Sequence, residues 1–188
     1  MKFDLYAEYK KDSIQGIQAK IVKALDKASS PLQDRISYPS EKEPKKHDKK
    51  ERTSISAMYD AVNSSKLAHP ILISKGKGSS KPKKPIANPL QKGWTYGYWR
   101  SEARRKRSIK EVTKLIGQWY TILDEEFEET ANKGKDGILY QQQACKLWLP
   151  LLREIVAHEN NLPTTSRLTK YAEALEPWVK QNSTSKSV

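Results

Sequence analysis

The sequence predicts a mainly α-helical protein: a C-terminal antiparallel helical bundle, an N-terminal helix, room for one or two short strands, and basic flexible loops. Three observations carry this. Apolar residues recur at three- and four-residue steps through most of 109–179, which is how a helix with one buried stripe is written. The breaks between these runs are short and hold capping or breaking residues, as neighbours in an antiparallel bundle require. The apolar content is also uneven. Overall it is only 36%, with a mean hydropathy of −0.82, and residues 29–52 and 74–92 carry few large apolar side chains. A core is then affordable only with those stretches outside it.

In chain order, residues 3–9 (FDLYAEY) alternate apolar and polar and read as a half-buried strand slightly better than as a helix start. A helix follows over 13–28, capped by Asp12 or Ser13, with Gln15 three after Asp12 as in a capping box. Its stripe is Ile14, Ile17, Ile21, Leu25 and Ala28, and Ser29-Ser30-Pro31 ends it. Residues 37–52 mix charge with two prolines and read as a flexible loop. The next helix is 53–65, behind a Thr53 or Ser54 cap, with Ile55, Met58, Tyr59 and Val62 on its buried face. In 67–73 (LAHPILI) Pro70 denies a central strand its full ladder, leaving an edge strand or a packed extended segment.

The second half is dense in pattern. Ser108 followed by Glu111 reads as a capping box, although the helix can also begin at Ser101. Its stripe is Ile109, Val112, Leu115, Ile116, Trp119, Ile122, Leu123 and Phe127, closed by Lys133-Gly134. A further helix runs from an Asp136 cap to Asn160-Asn161, where Pro150 should kink or divide it. The last follows Pro163 with Thr164 or Thr165 as cap, weakened near its end by Pro177. The chain thus divides into an N-terminal helical or mixed segment (1–73), a basic, aromatic-containing linker (74–100), the helical bundle (101–181) and a disordered tail (182–188). No repeat of 20–50 residues is visible.

Function is written most strongly in residues 81–110. Ten cations, Lys81, Lys83, Lys84, Lys92, Arg100, Arg104, Arg105, Lys106, Arg107 and Lys110, face a single acid, Glu102. Among them lie Trp94, Tyr96, Tyr98 and Trp99. Cations neutralise phosphates and release counterions, and flat rings stack on unpaired bases. The same rings can instead anchor a loop to a core edge. With 35 Lys and Arg against 22 Asp and Glu, the chain carries a net charge of +13. A polyanion relieves that self-repulsion. RNA or single-stranded nucleic acid is favoured over duplex, because the rings offer stacking and no groove-reading helix is evident; neither a zinc-finger nor an RNP signature occurs.

The rest argues against chemistry. Gly76 and Gly78 are followed by no third glycine of a GxGxxG loop, and no Walker A motif occurs. His47, His69 and His158 are scattered without metal-ligand spacing. The acidic run Asp124, Glu125, Glu126, Glu128 and Glu129 has no second cluster to join it for two-metal chemistry, and reads as a solvated face or a docking surface for a basic one. Cys145 is the only cysteine and sits in an apolar helical pattern, hence a buried structural thiol. No cofactor, metal or catalytic residue is expected. The chain lacks an apolar run of membrane-spanning length and a secretory leader pattern, so an intracellular, cytoplasmic setting is expected, or a nuclear one if the basic clusters at 81–84 and 104–107 act as import signals.

Two other readings stand beside a nucleic-acid binder. One is a small helical structural subunit of a larger ribonucleoprotein or viral assembly. Its general character is similar to helical subunits of CRISPR effector complexes and to viral accessory or nucleocapsid proteins, though no motif of either is matched. The other is an adaptor for an acidic protein or an anionic membrane.

Overall fold

The computed structural model describes residues 13–27, 29–38, 53–69, 71–72, 86–91, 98–128 and 139–183. These are mainly helical. The expectations for 3–9, for the 37–52 loop beyond residue 38 and for Lys133-Gly134 and Asp136 fall outside them.

The first helix, α1, spans Ile14–Lys27. Its cap is Ser13, whose hydroxyl accepts from the Gly16 amide at 3.2 Å. Ile17, Ile21, Val22 and Leu25 are fully buried. After α1 the chain turns through Asp34, at a φ of 59°, into β1, Ile36–Ser37. This pairs in parallel with β2, Thr53–Ser54, in the register Ile36↔Thr53. Helix α2, Ile55–Ser65, starts directly from β2, with the Ser54 hydroxyl accepting from Ala57 N at 3.1 Å. Its Ile55, Met58 and Val62 are buried and Tyr59 half-buried. A second two-stranded pair, antiparallel, joins β3, Ile71–Leu72, to β4, Ile86–Ala87.

Part of the segment read as a linker is packed. Asn88 is buried, and its carboxamide donates to the carbonyls of Leu67 and His69, both at 2.7 Å, while accepting from Leu90 N at 3.0 Å. A 3-10 turn at Pro89–Gln91 buries Leu90 and Gln91. Another, Tyr98–Arg100, leads into α3, Glu102–Glu126.

Helix α3 corrects the capping box read at Ser108. The helix starts seven residues earlier than that residue would allow, with Ser101 as the flanking residue. Ser108 lies inside it, fully buried, its hydroxyl accepting from Gln91 Nε2 at 2.8 Å. The run Glu102-Ala103-Arg104-Arg105-Lys106-Arg107 is made of good helix formers, so nothing local stops the helix from extending back. The expected stripe is buried from Val112 to Phe127, with Ile109 partly so, and Tyr120 joins it.

The following helix, α4, Gln142–Glu159, starts later than Asp136 would place it. Leu139 and Tyr140 are buried ahead of it in a bend. Pro150 sits inside α4 without dividing it. Trp148, Leu149 and Leu152 are buried on either side, and that packing offsets the lost ladder bond. Asn160, at a φ of 49°, ends the helix. Helix α5, Thr165–Glu173, is capped by the Thr164 hydroxyl, which accepts from Arg167 N. The Pro177 region forms a separate helix, α6, Glu176–Ser183, so regular structure enters the stretch read as a tail.

One apolar cluster joins residues from Ile17 to Val179. The most extensive helix contacts are α2 with α4 and α1 with α3, followed by α1 with α2 and α3 with α5. Consecutive helices α3 and α4 touch far less. The N-terminal helices are therefore built into the support of the C-terminal ones. Polar links sit at the seams. Gln18 Nε2 donates to Asn63 Oδ1 between α1 and α2, and Arg167 and Tyr171 both donate to Glu159 at the α4–α5 corner.

Candidate nucleic-acid interface

An amphipathic helix with a polar outer face fixes where its cations can point. Along α3 the residues Ser108, Val112, Leu115, Ile116 and Trp119 are buried. Arg104, Lys106, Arg107, Lys110 and Lys114 are exposed. The span from Arg104 to Lys114 covers about 15 Å of helix axis. The structure therefore brings the cations of 104–110 together over the first turns of one helix and continues them with Lys114, which the sequence reading missed. A spacing of i, i+3 and i+7 from Arg107 through Lys110 to Lys114 carried that signal.

These cations do not all stand in the same condition. Arg105 is half-buried, and its Nη1 donates to the Trp99 carbonyl at 2.7 Å. Lys106 pairs with Glu102 at 2.7 Å, one turn back. That bond, together with the charge of Lys106, holds the Glu102 carboxyl below its usual range. Arg100, Arg104, Lys110 and Lys114 make no ion pair among the described residues. Of these, Arg104 lies in the first turn of α3, where the positive end of the helix dipole favours anions over cations. Cations at i, i+3 and i, i+4 also repel one another by a few tenths of a kcal/mol per pair. An anion laid across this end relieves both effects.

Of the four rings, Trp99 is half-buried and packed on the core, so it anchors the turn before α3. Tyr98 lies in the same 3-10 turn. Lys81, Lys83, Lys84, Lys92, Trp94 and Tyr96 lie outside the described residues.

Beside the cations, the outer face of α3 is hollowed. A depression of about 370 Å³ is lined by Ser29, Ser30, Lys114, Gln118 and Thr121, among others. A second of about 320 Å³ is lined by Glu111, Lys114, Gln118, Pro163 and Thr164, among others.

The acidic run is split. Asp124 accepts a hydrogen bond from the Tyr140 hydroxyl, whereas Glu125, Glu126 and Glu128 are exposed and Glu129 is outside the described residues. The same Tyr140 ring carries Arg35 at 3.8 Å from its centroid and stacks on Tyr120 at 6.1 Å. Burial, reinforced by the Asp124 carboxylate, raises the Tyr140 phenol well above its usual range. Cys145 is buried beside these rings. His69 is half-buried, and burial with Lys66 nearby lowers its imidazole to about 4. His158 meets the Tyr171 hydroxyl at 3.0 Å, and His47 lies outside the described residues. Among the described residues no group of three His, Cys, Asp or Glu is placed to hold a metal ion. None of the described helices is long and apolar enough to cross a membrane.

No protein-family model matches the chain, and no curated protein or solved structure matches it either.

Proposed function

We propose that this protein is a non-enzymatic nucleic-acid binder that grips the phosphate backbone of RNA or another single strand along the first turns of α3. The observation that carries the reading is the alignment of exposed cations along the first turns of that helix, where they repel one another. Arg100, Arg104, Arg107, Lys110 and Lys114 meet phosphates; the cations of 81–92 extend the contact, and Trp94, Tyr96 and Tyr98 supply stacking. The helices packed behind them act as a support, and an antiparallel arrangement of the C-terminal helices belongs to this proposal. An intracellular setting, where nucleic acid is available, belongs to this proposal.

The test is the combined variant R104A/R107A/K110A, assayed against single-stranded RNA, single-stranded DNA and duplex at low salt. Arg105 is left in place because it holds the Trp99 turn. Binding should weaken at least tenfold for every sequence tried, since phosphate contacts carry no sequence information. Unchanged affinity removes the proposal.

A second reading, a structural subunit of a larger ribonucleoprotein or viral assembly, is favoured by the exposed apolar side chains. Leu147 is 54% exposed, Leu162 43% and Trp178 41%. Size measurement with and without RNA separates the two: a monomer that retains RNA supports the first.

A further inference from the structure

We infer that the double hollow on the outer face of α3 seats one ribonucleotide of a bound RNA strand, with Lys114 on its phosphate and Gln118 on its 2′-hydroxyl. The inference rests on the polyanion reading above and narrows it from nucleic acid in general to RNA.

Lys114, Gln118 and Thr165 line both hollows, so the two adjoin along these side chains. Each part is at the small end of the roughly 300–1,000 Å³ usual for small-ligand sites. Lys114 follows Lys110 by one helical turn, about 6 Å along the axis, so a backbone laid over the cations of α3 reaches the depression next. Lys114 has no ion pair, and Gln118 no hydrogen bond, among the described residues. Both are exposed and available.

The lining selects what lies there. Glu111 borders one hollow and Glu125 the other. Lys114 is the one cation of the lining and both carboxylates repel phosphate, so an anionic group can be held only directly above the Lys114 ammonium. The remaining polar lining is hydroxyl and amide: Gln118 with Ser29, Ser30, Thr121 and Thr165. Such groups both donate and accept, as a ribose hydroxyl does. No aromatic ring lines either hollow, so a stacked base is not what this place offers. A sugar with its 2′-hydroxyl is, and that hydroxyl is what distinguishes RNA from DNA.

The experiment compares RNA and DNA oligomers of one sequence on wild type, Q118A and K114A. Helical circular dichroism checks each variant's fold, and both side chains are exposed. Wild type should bind RNA several-fold more tightly. Q118A should lose about three- to tenfold on RNA, the scale of one hydrogen bond, with DNA unchanged. K114A should weaken both and lower the salt slope by about 0.7. Equal binding of RNA and DNA by wild type, or a preference untouched in Q118A, overturns this inference and leaves the polyanion reading standing. If neither oligomer binds, the polyanion reading fails and this one with it. A free ribonucleoside monophosphate that binds as tightly as the oligomer overturns the assignment to a strand.

Discussion

Arg105 Nη1 donates to the carbonyl oxygen of Trp99 at 2.7 Å, so one member of a run of four cations is committed to the fold while its neighbours face outward. The guanidinium reaches back from the first turn of α3 to the 3-10 turn before it and fixes how the chain enters the helix. One of the four residues is therefore engaged in the fold, and the other three are exposed.

That separation is testable. Arg105→Ala removes a charge-assisted hydrogen bond at a half-buried position and should cost about 1.5–3 kcal/mol in urea unfolding. Arg104→Ala, exposed and without an ion pair among the described residues, should change stability by less than about 0.5 kcal/mol. Equal stability effects would remove the distinction.

Asn88 gives the largest expected loss. It is buried and ties three backbone groups, on Leu67, His69 and Leu90. Asn88→Ala leaves two carbonyls and an amide without their partner and should destabilise by about 2–4 kcal/mol. Denaturant midpoints measure it.

Much of this fold is legible in the sequence, and the failures have particular causes. The stripe from Val112 to Phe127, the caps at Ser54 and Thr164 and the stop at Asn160 are local features, readable from spacing and capping chemistry. Ser108 misleads because Ser-x-x-Glu before an apolar run looks the same inside a helix as at its start. The start at Ser101, which the sequence also allowed, is the one adopted, and Ser108 instead accepts from Gln91 inside the helix. The start of α4 shifts because Tyr140 is held outside the helix by Asp124 and Arg35, two contacts no periodicity encodes. Strands of two residues, such as Ile36–Ser37, carry no alternation at all. At the candidate site the run of cations is plain in the sequence. The inward turn of Arg105 and the hollow around Lys114 need three dimensions.

Tyr140→Phe tests the seam between α3 and α4. It removes the donor to the half-buried Asp124 carboxylate and should cost about 1–3 kcal/mol at neutral pH. Retention of full stability would mean water satisfies Asp124 equally well.

His69 sets a pH dependence. The unfolded chain takes up a proton on this ring near pH 6.5, and the folded protein only near 4. Between those values the unfolded state binds more protons, so the stability this ring contributes is present above pH 6.5 and is lost as pH falls. The ring is part-exposed, so screening limits the loss to the order of 1 kcal/mol. In His69→Gln that share of the acid sensitivity should disappear between pH 6.5 and 4, read from chemical denaturation at each pH.

The most direct test of the phosphate grip is the salt dependence of wild-type binding to single-stranded RNA. With Arg100 and the four cations of α3 engaged, log K should fall linearly against log salt with a slope of at least about −3, at about 0.7 per neutralised phosphate, and more steeply as the cations of 81–92 join. A slope near zero, or no binding at low salt, would contradict the account.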